Sequence, residues 1–262
     1  MVYSQLVSYL ESNNLLPDNQ FEFRSKRSTE LAVTYFTDII RKEADNGRVT
    51  GAVFIDLSKA FDTISHSGLL NKLLFYGICD NELKWFTEYL FLWKQTVQYN
   101  GVLSEPNPVF TGVPQGSILG LLLFNIYFAD VHKPLQSSRI ITYADDTVIF
   151  TSSSNFDVIE WSLNDDINNL ATWFCKNELI INLKKGKSEA MIFGTVQRLN
   201  RLQGKQLNLT VNGLPINSTT TYKYLGVHLD PTLSFETHFN KTYNFVLSSY
   251  IYIIVFFSFC SL

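Results

Sequence analysis

Three carboxylates in this chain stand at the ends of strongly apolar runs, where an unpaired charge is costly. Asp56 follows Ala52-Val53-Phe54-Ile55, and Asp145-Asp146 interrupts ITYADDTVIF at 141–150. Both runs read as β-prone, the second as a hairpin that turns at the two acids. Three such groups converging would repel one another, and divalent cations relieve that repulsion. Mg²⁺ takes few carboxylates and keeps positions for phosphate oxygens. Two such ions can clamp the attacking and leaving oxygens of a phosphoryl displacement. The plainer alternative keeps the acids apart, with Asp56 capping the helix after it and Asp145-Asp146 a polar turn.

The remaining sequence can build the core that such a sheet needs. Its 262 residues are 46% apolar and 15% aromatic with 17% charged, which fits one large domain or two modest ones and excludes disorder. The net charge of −3 excludes a polycation, so bulk charge names no nucleic-acid partner. Charge is uneven, however: Lys184, Lys185, Lys187, Arg198, Arg201 and Lys205 face a single acid, Glu189, within 184–205. That patch reads either as a surface tracking a phosphate backbone or as a solvated loop. Cys79, Cys175 and Cys260 are too scattered for a disulfide framework or a cysteine-based zinc module. The first residues carry no basic n-region and no long apolar run, which predicts an unsecreted, intracellular protein of nucleus or cytoplasm. The apolar stretch 251–260 reaches the roughly 20 residues of a membrane span only by counting Asn244, Ser248, Ser249 and Ser258. A buried or non-native tail, or an exposed sticky end, is expected before a membrane anchor.

Local signals organise the chain as one α+β unit. Helices are expected over about 30–46 behind Ser28 and Thr29, then over 65–76, 80–92, 118–132 and 156–177. Strands are expected over 51–56, 96–101, 141–150, 189–194, 207–211 and 222–229, with Asn212-Gly213 a turn. Residues 1–27 carry mixed signals, and GVPQGS at 112–117 is a Gly/Pro loop.

Ordered words along the chain resemble those of reverse transcriptase. They are Phe54-Ile55-Asp56-Leu57-Ser58-Lys59-Ala60-Phe61-Asp62, then Gly112-Val113-Pro114-Gln115-Gly116-Ser117, then Tyr143-Ala144-Asp145-Asp146. The flanks agree: Gln20-Phe21-Glu22-Phe23-Arg24 upstream, Asn182-Leu183-Lys184-Lys185 and Tyr224-Leu225-Gly226-Val227 downstream. The likeness is nearest to the polymerase of LINE-type non-LTR retrotransposons and runs from about residue 16 to 238.

The resemblance implies a right-hand polymerase of fingers and palm, with an antiparallel palm sheet and helices and the thumb missing or truncated. It implies a fingers/palm domain over 1–240, with fingers at about 1–50 and 65–110 interleaved with palm, and an apolar tail at 241–262. Asp56, Asp145 and Asp146 match the palm's metal-binding acids, for two Mg²⁺ ions with Mn²⁺ as a substitute. Phe61 matches the aromatic beneath the incoming sugar, where a flat ring leaves no room for a 2′-hydroxyl; its plain alternative is a core aromatic. Arg24 and Arg27 match basic residues near the triphosphate or template, and otherwise read as a solvated charged face. Gln115 and Gly116 match the loop against the template–nucleotide pair. Lys185 matches a proton donor to leaving pyrophosphate, and Tyr224, Leu225 and Gly226 match the support of the primer end. The partners implied are an RNA template, a DNA primer and dNTPs, with no obligate protein partner.

The chain departs from the family pattern in places. Glu22 stands where Gly is usual, Leu121 where Pro is usual, Trp93 where a basic residue is expected, and Gly186 follows Lys185 where Thr or Ser is usual. No endonuclease-like segment precedes the polymerase words and no full thumb follows Asp230. Two functions compete on this reading: an RNA-directed DNA polymerase, and a catalytically silent transposon remnant that at most binds nucleic acid.

Overall fold

The computed structural model describes residues 1–247 except Phe23, Ser25 and Gln115. Expectations for the tail beyond Leu247 fall outside the described residues.

The chain opens with helix α1 (Val2–Ser12), which buries Leu6 and Leu10 and has no side-chain cap. Lacking that start signal, it was not expected from the mixed sequence there. Helix α2 (Thr29–Asp45) begins where the Ser28 hydroxyl accepts the Leu31 amide at 3.2 Å. Strand β1 (Val49–Ile55) is buried at every residue. Helices α3 (His66–Phe75), capped by Ser65, and α4 (Asp80–Phe91) follow. A narrow two-stranded arm comes next: β2 (Lys94–Gln95), β3 (Gln98–Tyr99), β4 (Val102–Leu103) and β5 (Asn107–Pro108), with β3 and β4 paired and β2 and β5 paired. Helix α5 (Ile118–Phe128) is apolar around its circumference and is almost wholly buried.

Strands β6 (Arg139–Tyr143) and β7 (Asp146–Ser153) form the expected hairpin. Helix α6 (Phe156–Lys176) leads to β8 (Glu189–Phe193) and the short α7 (Val196–Arg201). The remaining strands are β9 (Thr210–Val211), β10 (Leu214–Pro215), β11 (Asn217–Ser218), β12 (Tyr222–Tyr224) and β13 (Val227–Leu229). The single strand expected over 222–229 is in fact a hairpin. It folds back at Leu225 and Gly226, both in the left-handed region (φ 46° and 88°). Residues 236–247 are helical, so the described part of the expected tail continues a helix rather than starting a new segment.

The principal sheet has the order β11-β8-β1-β7-β6, antiparallel throughout except for the short β11 edge. Strand β1 is central, and alternate residues serve opposite cores. Val53 and Ile55 join Ile149 and Ala190 in the core shared with α5 and α6. Ala52 and Phe54 join Val148, Phe150 and Phe193 in the core beneath α2. Phe36 of α2 holds that second core together, with its ring 5.1 Å from Phe150, 5.7 Å from Phe193 and Tyr224, and 5.9 Å from Phe54. A sheet covered on both faces explains why β1 reads as a continuous apolar run.

Two polar devices fix the surroundings. The carboxylate of Asp166, fully buried on α6, accepts the amides of Gln136, Ser137 and Ser138 at 2.7, 3.1 and 2.6 Å. One face of α6 also acts as a strand edge. Asn164 and Asn168 donate to the carbonyls of Asn208 and Thr210 at 2.9 Å, and the Asn208 amide donates to Glu160 at 2.7 Å.

Candidate functional site

The register of β1 against β7 decides where the acids go. Ile55 pairs with Thr147, so the next residue out, Asp56, emerges beside Asp146. Tyr143 pairs with Asp146 across the hairpin, whose turn is Ala144-Asp145 with Ala144 at φ 50°. The three carboxylates therefore meet at one end of the sheet. Burial raises the pKa of Asp145, and Asp56 raises it further. Burial, then Asp145, then Asp56 push Asp146 up to about 6, against a smaller opposing pull from Lys187.

Asp56 does not cap a helix. Its Oδ2 accepts the side-chain amide of Asn182 at 2.8 Å, and Lys187 Nζ lies 3.5 Å from its Oδ1. The Asp56 amide donates to Ser188 Oγ at 3.0 Å, and the Asn182 amide donates to the Asp56 carbonyl at 2.8 Å. The segment 182–188 thus clasps the end of β1. Lys185, two residues before Lys187, is exposed within the same loop. Asn182, Lys187 and Ser188 were not singled out from the sequence as site residues. The visible signal for them was the Asn182-Leu183-Lys184-Lys185 word, which lies beside them.

A fourth acid joins the group. Gln20 bridges to Thr142 of β6, and Asn125 Nδ2 donates to the Glu22 carbonyl at 2.8 Å. These bonds set Glu22 next to the hairpin turn. Its Oε2 is buried without a hydrogen-bond partner among the described residues, and burial, Asp145 and Asp146 push its carboxyl up to about 7.

Arg24 and Arg27 are engaged locally. Arg24 Nη1 donates to the carbonyls of Leu16 and Pro17 at 3.2 and 2.7 Å. Arg27 donates to the Asp18 and Gln20 carbonyls, pairs with the Asp18 carboxylate at 3.0 Å and lies 5.0 Å over the Phe21 ring. Together they brace the loop 16–21 rather than standing as a solvated charged face.

Phe61 is half-buried and stacks on Phe124 of α5 at 4.3 Å. The GVPQGS loop is sewn to the same turn, with the Gly112 amide donating to Ile64 and the Val113 amide to Phe61. A β-carbon on Gly112, at φ 86°, would lie 2.9 Å from Asp62 Cα and from the Asp62 and Phe61 carbonyl oxygens. Only glycine allows that approach. Gly116 also lies in the left-handed region, with open space around it, and Gln115 is outside the described residues. Tyr224 is buried under α2, and Tyr222 stacks on Phe54 at 4.1 Å and donates to the Lys187 carbonyl. The β12–β13 turn therefore sits behind the acids.

The implied divalent cation can be tested against these groups. The donors are hard carboxylate oxygens, with Asp56 raising the pKa of both Asp145 and Asp146, and Lys187 is a nearby countercharge. Among the described residues no three His, Cys, Asp or Glu side chains already close into a metal cage. Mg²⁺ in general takes only one or two carboxylates, with water and phosphate oxygens completing its shell, and hard carboxylate oxygens are the donors present here. The residues fit the group. No helix among the described residues is long and apolar enough to cross a membrane.

The chain is 28% identical over 256 residues to a probable RNA-directed DNA polymerase from transposon BS of Drosophila melanogaster, covering 92% of this chain and 27% of that protein. It is 29% identical to the RNA-directed DNA polymerase from mobile element jockey of Drosophila funebris, covering 91% and 26%. It thus spans about a quarter of the length of these relatives. Among solved structures it is similar in fold to apo telomerase from Candida tropicalis truncated from its C-terminal domain, at TM-score 0.58, 13% identity, and 89% and 43% coverage. Telomerase from Candida albicans, solved with a fragment of telomeric RNA, gives 0.57, 13%, and 89% and 38%. That likeness shows the polymerase fingers-and-palm fold. Residues 1–229 match the family described as "Reverse transcriptase (RNA-dependent DNA polymerase)", and the chain belongs to that family.

Proposed function

We propose that this chain is the polymerase region of a non-LTR retrotransposon protein and extends a DNA primer with dNTPs on an RNA template. The observation that carries the reading is the meeting of Asp56, Asp145 and Asp146 at one sheet end, with Asn182 and Lys187 holding Asp56. In the reaction the primer 3′-oxygen forms a bond to the α-phosphorus, the bond from the α-phosphorus to the bridging oxygen breaks, and pyrophosphate leaves. The 3′-hydroxyl gives up its proton, and the leaving pyrophosphate takes one.

Asp56, Asp145 and Asp146 would hold Mg²⁺, or Mn²⁺ in its place; bound there, such ions neutralise phosphate charge and favour the ionised 3′-oxygen. Asn182 fixes the Asp56 carboxylate so that its position is set before substrate arrives. Lys185 is the proposed proton donor to pyrophosphate, with Lys187 steadying Asp56 beside it. Phe61, backed by Phe124, is the surface against the sugar. Gly116, together with Gln115, lies against the template–nucleotide pair. Arg24 and Arg27 act through the shape of the loop that carries Glu22. Tyr224, Leu225 and Gly226 support the primer end.

A second reading, a silent remnant, is favoured by Glu22, whose buried carboxyl adds repulsion where a triphosphate would enter. Primer extension on a short RNA template with dNTPs and Mg²⁺ separates the two. Extension abolished by Asp145→Asn supports the polymerase. No extension from folded protein, restored by Glu22→Gly, shows a site silenced by that carboxylate, and no extension from either protein overturns the polymerase reading.

A further inference from the structure

Helix α4 carries an aromatic ladder on the side that meets the GVPQGS loop. Trp85 and Tyr89, four residues apart, stack at 5.4 Å and 10°. Trp93 continues the row edge-on to Tyr89, with ring centres 6.0 Å apart. Trp85 and Trp93 are 41% and 42% exposed. The ladder is tied to the candidate site, because Tyr89 Oη lies 3.2 Å from Ser117 Oγ, next to Gly116.

At its far end the row opens on a cavity of about 570 Å³ lined by Lys59, His66, Trp93, Lys94, Gln95 and Thr111 among others. Two lysines, Lys59 and Lys94, and Trp93 line this space, with Asp62 also on its wall. His66 is 3% exposed. Its ring lies edge-on to Phe91 at 5.4 Å, and its Nε2 is 2.7 Å from the Gly112 carbonyl. A carbonyl only accepts, so Nε2 carries the proton there, and in the neutral ring Nδ1 is an acceptor. That Nδ1 is buried and has no partner among the described residues, which is costly unless something donates to it.

Exposed indoles such as Trp85 and Trp93, set beside lysines, are a common feature of single-stranded nucleic-acid binding. Stacking is tolerant of base identity, and the ammonium groups follow the phosphates. We propose that the Trp85–Tyr89–Trp93 row and the cavity at its end hold single-stranded RNA ahead of the site. One base lies on Trp93, Lys59 and Lys94 take the adjoining phosphates, and His66 Nδ1 accepts from a base N–H or a 2′-hydroxyl. The inference rests on the reading of the chain as a template-directed polymerase, but its test does not need chemistry.

The test is binding of a labelled 12-nucleotide RNA to the full chain in chelator, followed by anisotropy and tryptophan emission. Binding with emission quenching is expected. Trp93→Ala should weaken it about 5- to 100-fold, and Lys94→Gln should lower the salt slope by about 0.7. Trp161→Ala, an exposed indole on α6, should leave it unchanged. Both Trp93 and Lys94 are exposed, so these variants keep the fold, as circular dichroism would verify. Wild-type affinity in Trp93→Ala and Lys94→Gln, equal binding of duplex RNA, or no binding by the wild type would each overturn the proposal. Binding retained in a protein that extends no primer would leave this surface standing and the polymerase reading fallen.

Discussion

The side-chain amide of Asn182 donates to Oδ2 of Asp56 at 2.8 Å, joining residues 126 positions apart. The same two residues are bonded a second time, Asn182 amide to Asp56 carbonyl, so the loop 182–188 and the end of β1 move as one body. Partners that orient a metal-binding carboxylate matter to affinity about as strongly as 10- to 100-fold. Asn182→Ala is therefore expected to raise the Mg²⁺ concentration for half-maximal primer extension by about tenfold, with little change in thermal stability. An unchanged Mg²⁺ dependence would remove Asn182 from the site.

The pH dependence of stability follows from the acids at the hairpin. Glu22 and Asp146 have folded pKa values raised to about 7 and about 6, from ordinary values of 4.5 and 3.8. Between those limits the folded state binds more protons than the unfolded one. Stability is thus highest below the unfolded values and falls as pH rises through the folded ones. Without divalent cations, Glu22→Gln should raise the melting temperature more at about pH 8 than at about pH 5. Equal effects at both values would show that Glu22 carries no such charge penalty.

Asp166 offers a stability test remote from the chemistry. Its buried carboxylate is the acceptor for three successive loop amides. Asp166→Asn keeps the size but turns an N–H₂ towards donors, leaving at least one amide unsatisfied. A loss of about 3 kcal/mol in urea unfolding is expected. A loss under about 0.5 kcal/mol would mean that the loop finds other acceptors.

Phe61 stacks on Phe124, so its ring plane is set from behind by α5. If it lies under the sugar, Phe61→Val opens space at the 2′ position. Ribonucleotide incorporation relative to dNTP should then rise by about tenfold, measured by single-nucleotide extension. No change in that ratio would leave Phe61 as a core aromatic.

The sequence carried some of this better than the rest, for physical reasons. Asp56 and Asp145-Asp146 were legible because acids at the ends of continuous apolar runs conflict with burial. Their adjacency needed only that the two runs pair. Asn182 stood out only within the Asn182-Leu183-Lys184-Lys185 word and Lys187 only within the basic patch, and neither could be tied to Asp56, which lies 126 and 131 positions away. The roles of Arg24 and Arg27 hid for a different reason: their partners include the backbone carbonyls of Leu16, Pro17 and Gln20, which have no letter in a sequence. Residues 222–229 looked like one strand because the segment is rich in β-prone Tyr and Val, although the two-residue spacing shifts phase between Tyr224 and Val227. The reversal rests on Leu225 and Gly226 both adopting positive φ, and leucine seldom does so.

The place of β1 at the centre of the sheet has a consequence for how the chain must be made. Its two edges pair with β7 and β8, and Thr50 meets Ser152 across 102 residues. A ribosome releases β1 long before either neighbour exists, so a wholly apolar strand waits with both edges open. Sheets assembled from such distant pieces fold slowly, and their unfinished forms are the ones that aggregate. Any product ending before residue 189 leaves one side of β1 unpaired, an invitation to another copy. In this chain, interrupted synthesis would leave the central strand of the sheet as an open edge.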